Sequence, residues 1–150
     1  PKFGPRPVDR YDHEILFTDR YIGQLLDYVW SSPRGRNTVV ALCGDSGFLH
    51  TGLSGLVDAA RANAPLLVLI LDNGTTALSG GQPHPGSALD ARGALRPSVD
   101  LVGLAREAGA RHVELVDLDA GADVGPALAK GLDYPGVAVV VVRGQCQPSS

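Results

Sequence analysis

Leu66-Leu67-Val68-Leu69-Ile70-Leu71-Asp72-Asn73-Gly74 is apolar at six successive positions and then turns polar within three. A strand with one wet face alternates apolar and polar residues, whereas a strand covered on both faces is apolar throughout. The run is bounded by Pro65 and by Asn73-Gly74, so it reads as a buried strand of a parallel sheet. Asn73-Gly74 could instead close a hairpin. The fully apolar strand before it and the long connection after it argue against that.

Working outward, Thr38 to Cys43 is a second short apolar and β-branched run, and Leu53, Leu56, Val57 and Ala60 mark the inner face of a helix between the two strands. Asn73 to Pro97 shows no period and is rich in Gly, Pro, Ser and Thr; a connection of that length in a compact domain is usually functional or mobile. Leu101, Leu104, Ala105 and Ala108 predict a helix, with Ser98 or Asp100 as its N-cap. His112–Val116 reads as a strand, Asp123–Leu132 as a helix and Val137–Val142 as a last buried strand. At the other end, Pro1, Pro5 and Pro7 suggest an extended arm, and Ile22, Leu25, Leu26 and Val29 a helix stopped by Ser31 to Gly35. Strands alternating with helices predict a three-layer α/β/α fold around a mainly parallel sheet.

Composition narrows the function. At 150 residues the chain suits one domain with a sizeable core. Formal net charge is −3 with no basic block, which disfavours a nucleic-acid partner. Cys43 and Cys146 form no CxxC pair, so neither zinc nor an iron–sulfur cluster is expected on this chain, and two reduced thiols suit a cytoplasmic protein. The longest apolar run is far too short to span a bilayer, and no signal peptide is evident. A chain that begins with Pro1 is expected to be a fragment or a processed or trimmed product.

Ligands of parallel α/β sheets bind beyond the carboxyl ends of the strands. Two of those ends carry unusual residues: Cys43-Gly44-Asp45-Ser46-Gly47 and Leu71-Asp72-Asn73-Gly74-Thr75. Asp45 and Asn73 are separated by one strand–helix–strand excursion, which returns the chain to the same edge and lets both side chains face one cavity. A carboxylate and an amide carbonyl are hard oxygen ligands suited to magnesium, whose remaining ligands are commonly phosphate and water. Gly44 and Gly47 admit a phosphate close to the backbone at a helix N-terminus. That terminus contributes at most about 2 kcal/mol to an anion, while micromolar binding needs about 8 kcal/mol; a bridging cation can supply much of the rest. Taken alone, Asp45 could equally cap the following helix.

Gly44-Asp45-Ser46 followed by Asp72-Asn73 resembles the thiamine-diphosphate signature that begins Gly-Asp-Gly and ends Asn-Asn or Asp-Asn. The longer stretches Gly-Asp-Ser-Gly-Phe-Leu-His-Thr-Gly (44–52) and Leu-Asp-Asn-Gly-Thr-Thr-Ala-Leu-Ser-Gly-Gly-Gln-Pro-His-Pro-Gly (71–86) are similar to the large subunit of indolepyruvate:ferredoxin oxidoreductases. The likeness covers roughly residues 38 to 146. It implies an arm and helix over 1–37, a pyrophosphate-binding domain of the thiamine-diphosphate fold over 38–146, and a tail over 147–150. It also implies magnesium ligation by Asp45, the Asn73 side chain and the Thr75 carbonyl. Gly44, Ser46, Gly47, Thr75 and Thr76 would line the diphosphate.

In that family the thiazolium carbon attacks a 2-oxoacid carbonyl, carbon dioxide leaves, electrons pass to iron–sulfur clusters and the acyl group ends on coenzyme A. The implied partners are therefore a pyrimidine-binding domain or subunit supplying the activating glutamate, and ferredoxin or another electron acceptor. An oligomer is expected, inactive without that partner. Ser46 stands where the general signature has glycine, residues 1 to 37 lack the family's Gly-rich segment, and iron–sulfur cysteines are absent. Two further readings stay open: a chain of a non-oxidative 2-oxoacid decarboxylase, and a degenerate assembly domain.

Several residues carry alternatives. His84, between two prolines, could reach substrate as an acid or base or be an idle loop residue. His50 could face the cofactor or lie on the surface. His13 and His112 read as structural or solvated, Cys43 as a buried inert thiol and Asp72 as a loop-fixing hydrogen-bonding residue. Arg106, Glu107 and Arg111 read as a solvated helix face.

Overall fold

The structure, a computed structural model, describes residues 23–33, 37–77 and 80–145. The chain divides into two compact units, Pro1–Arg36 and Asn37–Ser150. In the first unit a helix over 23–31, α1, buries Val29. The proline-rich arm, Ile22, His13 and Cys146 lie outside the described residues.

The second unit holds four strands: β1 Val39–Gly44, β2 Leu66–Asp72, β3 His112–Asp117 and β4 Val137–Arg143. All pairs are parallel and the spatial order is β1-β2-β4-β3. After β1 the chain turns at once into a helical stretch, α2. It starts with the turn Asp45–Gly47, runs through a π-helical segment Phe48–Gly52 and continues as an α-helix, Leu53–Ala62. Helix α3 spans Leu101–Glu107 and α4 Gly125–Asp133.

The order explains the layers. The crossovers β1 to β2 and β2 to β3 advance in one direction and β3 to β4 returns, so right-handed connections put α2 and α3 on one face and α4 on the other. Alternate strand residues serve the two faces. Val68, Ile70, Val139 and Val141 pack with Phe48, Leu56, Leu101 and Ala105 from the α2/α3 side. On the other face Gly131 of α4 rests on Leu67 and Ala138: a Cβ at Gly131 would stand 2.7 Å from Leu67 Cδ1. The α/β/α expectation therefore holds, and the continuous apolarity of β2 and β4 follows from cover on both faces.

Two local expectations need correction. Val57 is 45% exposed, not inward, because only Leu56 of that turn points squarely at the sheet. The connection after β2 is not structureless. Thr76 bridges Gln82 and Leu89 bridges Leu95, and Asp90 closes the turn between its own pair by accepting N–H bonds from Arg92 and Ala94. The Ala94 N–H first, then the Arg96 guanidinium 2.9 Å from Oδ2, then the Arg92 N–H, hold the Asp90 carboxyl below the usual carboxylate range. Of the two candidate caps of α3, Asp100 is the one used, its Oδ1 accepting from Val102 N–H at 3.1 Å. Replacing Asp100 with alanine should cost about 1 kcal/mol of unfolding free energy by urea titration, whereas Ser98→Ala should cost nothing measurable. Among the described residues no helix is long and apolar enough to cross a membrane.

Candidate functional site

β1 and β2 run side by side with Gly44 opposite Leu71, so Asp45 and the Asp72-Asn73-Gly74 turn leave the sheet together. Asp45 is buried, 2% exposed, and its carboxylate ties the two strand ends to each other. Oδ1 accepts the Ser46 N–H at 2.7 Å and Oδ2 accepts the Gly74 N–H at 2.8 Å. The N-cap of this helical start is Gly44, so Asp45 lies inside the first turn and does not serve as the cap. Gly74 sits at φ +70, a conformation natural to glycine, and that twist aims its N–H at Asp45.

Asn73 Oδ1 accepts the Thr75 N–H at 3.1 Å, an Asx turn that shapes the loop start. The Thr76 hydroxyl donates to the Gln82 carbonyl and, at 2.8 Å, meets Gln82 Oε1. Asp72 pairs with Arg143 across the β2–β4 register, Nε to Oδ2 at 2.8 Å, which fits a structural role and takes it out of the candidate ligand set. Two open recesses of about 320 Å³ each flank Gly74, one floored by Thr75, Ser87 and Leu89, the other by Asp72, Asn73 and Arg143.

His84 lies elsewhere than an exposed loop position would put it. Its ring is 2% exposed and turned onto Asp45, with Nε2 3.2 Å from Oδ2. His50 is exposed on the π-helical segment and takes part in none of these bonds. Cys43 precedes the turn and donates weakly to the Leu69 carbonyl at 3.8 Å; burial, and secondarily the charge of Asp45, push its thiol up, so it stays protonated. His112 stacks on Tyr134 beside Glu114, remote in the fold from the β1–β2 ends. Sequence reasoning missed Ser87, which is buried and accepts from His84 N–H while donating to the Gly74 carbonyl at 2.6 Å. A lone serine in a Gly/Pro-rich loop carries no periodic signal that could have singled it out.

Whether a magnesium-bound diphosphate fits can be judged from the residues themselves. A buried carboxylate is costly unless its charge is compensated. Around Asp45 the described residues place two backbone N–H groups and one imidazole but no lysine or arginine within ion-pair distance. Gly44 and Gly47 both have φ values any residue adopts, and a Cβ at either would meet nothing within 4 Å. Neither conformation nor internal packing therefore demands glycine there, and the space beside the helix start is open to a ligand. Among the described residues no group of three or more His, Cys, Asp or Glu side chains could hold a metal. A site built from one carboxylate, one amide oxygen and a main-chain carbonyl needs none. The residues fit the group.

Residues 25–142 match the family described as thiamine pyrophosphate enzyme, C-terminal TPP binding domain. The chain is similar to indolepyruvate oxidoreductase subunit IorA of Archaeoglobus fulgidus, 36% identical over 110 residues covering 73% of this chain. It is likewise similar to the IorA of Thermococcus kodakarensis, 33% identical over 124 residues and 83% of the chain. It spans 18% and 19% of the length of those two relatives. Among solved structures, 2-oxoglutarate:ferredoxin oxidoreductase from Magnetococcus marinus superposes with a TM-score of 0.62 at 21% identity, over 71% of this chain and 40% of that one, and shows the shared fold. The thiamine diphosphate-dependent 4-hydroxybenzoylformate decarboxylase of Rhodococcus jostii RHA1 gives a TM-score of 0.53 at 25% identity, over 77% of this chain and 22% of that one.

Proposed function

The chain belongs to the thiamine pyrophosphate enzyme family, as its C-terminal TPP-binding domain, and from that membership we propose that it supplies the magnesium and diphosphate half of a 2-oxoacid oxidoreductase site of the indolepyruvate type. The observation that carries the reading is the buried Asp45 carboxylate, bonded to the Gly74 N–H and lacking a lysine or arginine partner among the described residues, at a helix start whose glycines leave open space. Asp45, the Asn73 side-chain oxygen and the Thr75 carbonyl would hold magnesium, and Gly44, Ser46, Gly47 and the Thr75–Thr76 backbone would line the diphosphate. When bound, thiamine diphosphate supplies the carbon nucleophile that takes up a 2-oxoacid and releases carbon dioxide. The chain's own task is to fix the diphosphate end so that the reactive end is presented to a partner domain, which contributes the activating glutamate. Iron–sulfur clusters, the ferredoxin-type acceptor and the coenzyme A site belong on other domains or chains.

The test is reconstitution. The chain, purified with the chains that accompany it, should reduce a viologen dye when given indolepyruvate, coenzyme A, thiamine diphosphate and magnesium. Carbon dioxide release with no acceptor present would favour a non-oxidative decarboxylase instead, a reading supported by the likeness to the 4-hydroxybenzoylformate decarboxylase. Neither product with any 2-oxoacid, in a preparation that binds no cofactor, would leave an assembly role.

A further inference from the structure

We infer that His84 is a positioning residue for Asp45: its buried Nε2 stands beside the carboxylate oxygen that also takes the Gly74 N–H, and it sets the orientation in which Asp45 meets a cation. This rests on the magnesium–diphosphate reading above and adds a role for a residue outside the ligand set.

The geometry points one way at each nitrogen. Nδ1 accepts the Gly86 N–H at 3.1 Å, so it carries no proton, and the ring's proton resides on Nε2. Nε2 is buried, stands 3.2 Å from Asp45 Oδ2 and makes no aligned hydrogen bond. It is thus a donor held in reserve at the edge of the carboxylate. A closed circuit keeps it there. Gly74 N–H donates to Asp45 Oδ2, Ser87 Oγ donates to the Gly74 carbonyl, and the His84 N–H donates to Ser87 Oγ at 3.0 Å; the His84 ring then returns to Asp45.

The local sequence is built for this turn. Pro85 keeps His84 out of the helical region, and the Ser87 N–H closes the turn on the His84 carbonyl at 2.8 Å. Gly86 gives the ring its bed: a Cβ there would stand 2.8 Å from His84 Cε1. Partners that orient a metal ligand from behind typically change metal affinity 10- to 100-fold when removed.

The test titrates magnesium against a fixed, saturating concentration of thiamine diphosphate, using the chain with its accompanying chains. His84→Ala should raise the magnesium midpoint about 10- to 100-fold, with cofactor affinity at saturating magnesium within about threefold of wild type. His84→Gln, whose amide can donate from nearly the same place, should recover part of the loss. In the absence of cofactor, hydrogen exchange at the Gly74 amide should quicken in His84→Ala, because the oxygen it bonds is no longer held. An unchanged midpoint in His84→Ala overturns the inference. So does a glutamine variant as defective as alanine that also loses affinity at saturating magnesium, since that is the mark of a merely structural residue.

Wild-type protein that shows no magnesium-dependent binding, yet faster Gly74 exchange in His84→Ala, would discard the cofactor reading and leave the Asp45 positioning standing. Should alanine prevent folding, the wild-type protein still decides: imidazole nitrogen shifts of the Nε2–H tautomer at His84 are expected, and the Nδ1–H tautomer overturns the assignment.

Discussion

Asp45→Ala should weaken magnesium-dependent binding of thiamine diphosphate at least about 100-fold, equivalent to about 2.7 kcal/mol. Asp45 is the one charged member of the proposed ligand set, and Asn73 and the Thr75 carbonyl bring only dipoles. Removing it also leaves the Ser46 and Gly74 N–H groups without their acceptor, at a cost in stability of about 1–3 kcal/mol each where water cannot replace it. The two effects separate in one experiment. Calorimetric titration of the cofactor at fixed magnesium reads the first, and a melting curve on the same sample reads the second. A variant that melts a few degrees lower but binds as well as wild type would remove Asp45 from the ligand set. Asp45→Asn refines the result: it keeps the size of the side chain but loses the charge and one of the two oxygens that accept the Ser46 and Gly74 N–H groups, so a loss of binding beyond its loss of stability on the melting curve assigns the effect to charge.

Ile70→Ala should cost about 3 kcal/mol of unfolding free energy, within the range of about 2–5 kcal/mol for deleting a buried branched side chain. For a chain of this length that corresponds to a fall in Tm of roughly 6–12 °C. Ile70 is fully buried in the middle of β2, between Val68 and Asp72 on the face that receives α2 and α3, with Val139 and Val141 beside it on β4. The surroundings are β-branched strand residues pinned by the parallel register, so collapse around the lost atoms is limited. Leu42 on β1 is the control, because it is 47% exposed and its truncation should cost under about 1 kcal/mol. If both variants melted alike, the sheet would not be covered as described. Ile70→Ala should reach function too, since β2 ends at the Asp72-Asn73-Gly74 turn, and a shift of that strand end misplaces half the site.

The legible parts of the sequence were those with a repeating signal. Continuous apolarity in β2 and β4 marked strands covered on both faces, and the strand–helix–strand spacing between Asp45 and Asn73 led to the adjacent strand ends that β1 and β2 form. Val57 was misread because apolar spacing names a helix stripe about 100° wide or more, and the outermost residue of such a stripe can lie in solvent. The π-helical turn Phe48–Gly52 and the bridged turns between Thr76 and Leu95 were not legible. They depend on single side-chain-to-backbone bonds, such as those of Asp90 and Asn73, which leave no period. His84 shows the same limit at the site. Between two prolines it reads either as an acid or base reaching substrate or as an idle loop residue, and only the turn through Gly86 and Ser87 folds its ring onto Asp45.

The proposed function requires that this chain hold magnesium and thiamine diphosphate. Thiochrome fluorescence on the protein, purified from its source with whatever accompanies it, tests that requirement most directly. The prediction is thiamine diphosphate near one per chain, released when magnesium is chelated. A preparation that retains its partners, is supplied with cofactor and magnesium, and still carries no thiamine would contradict it.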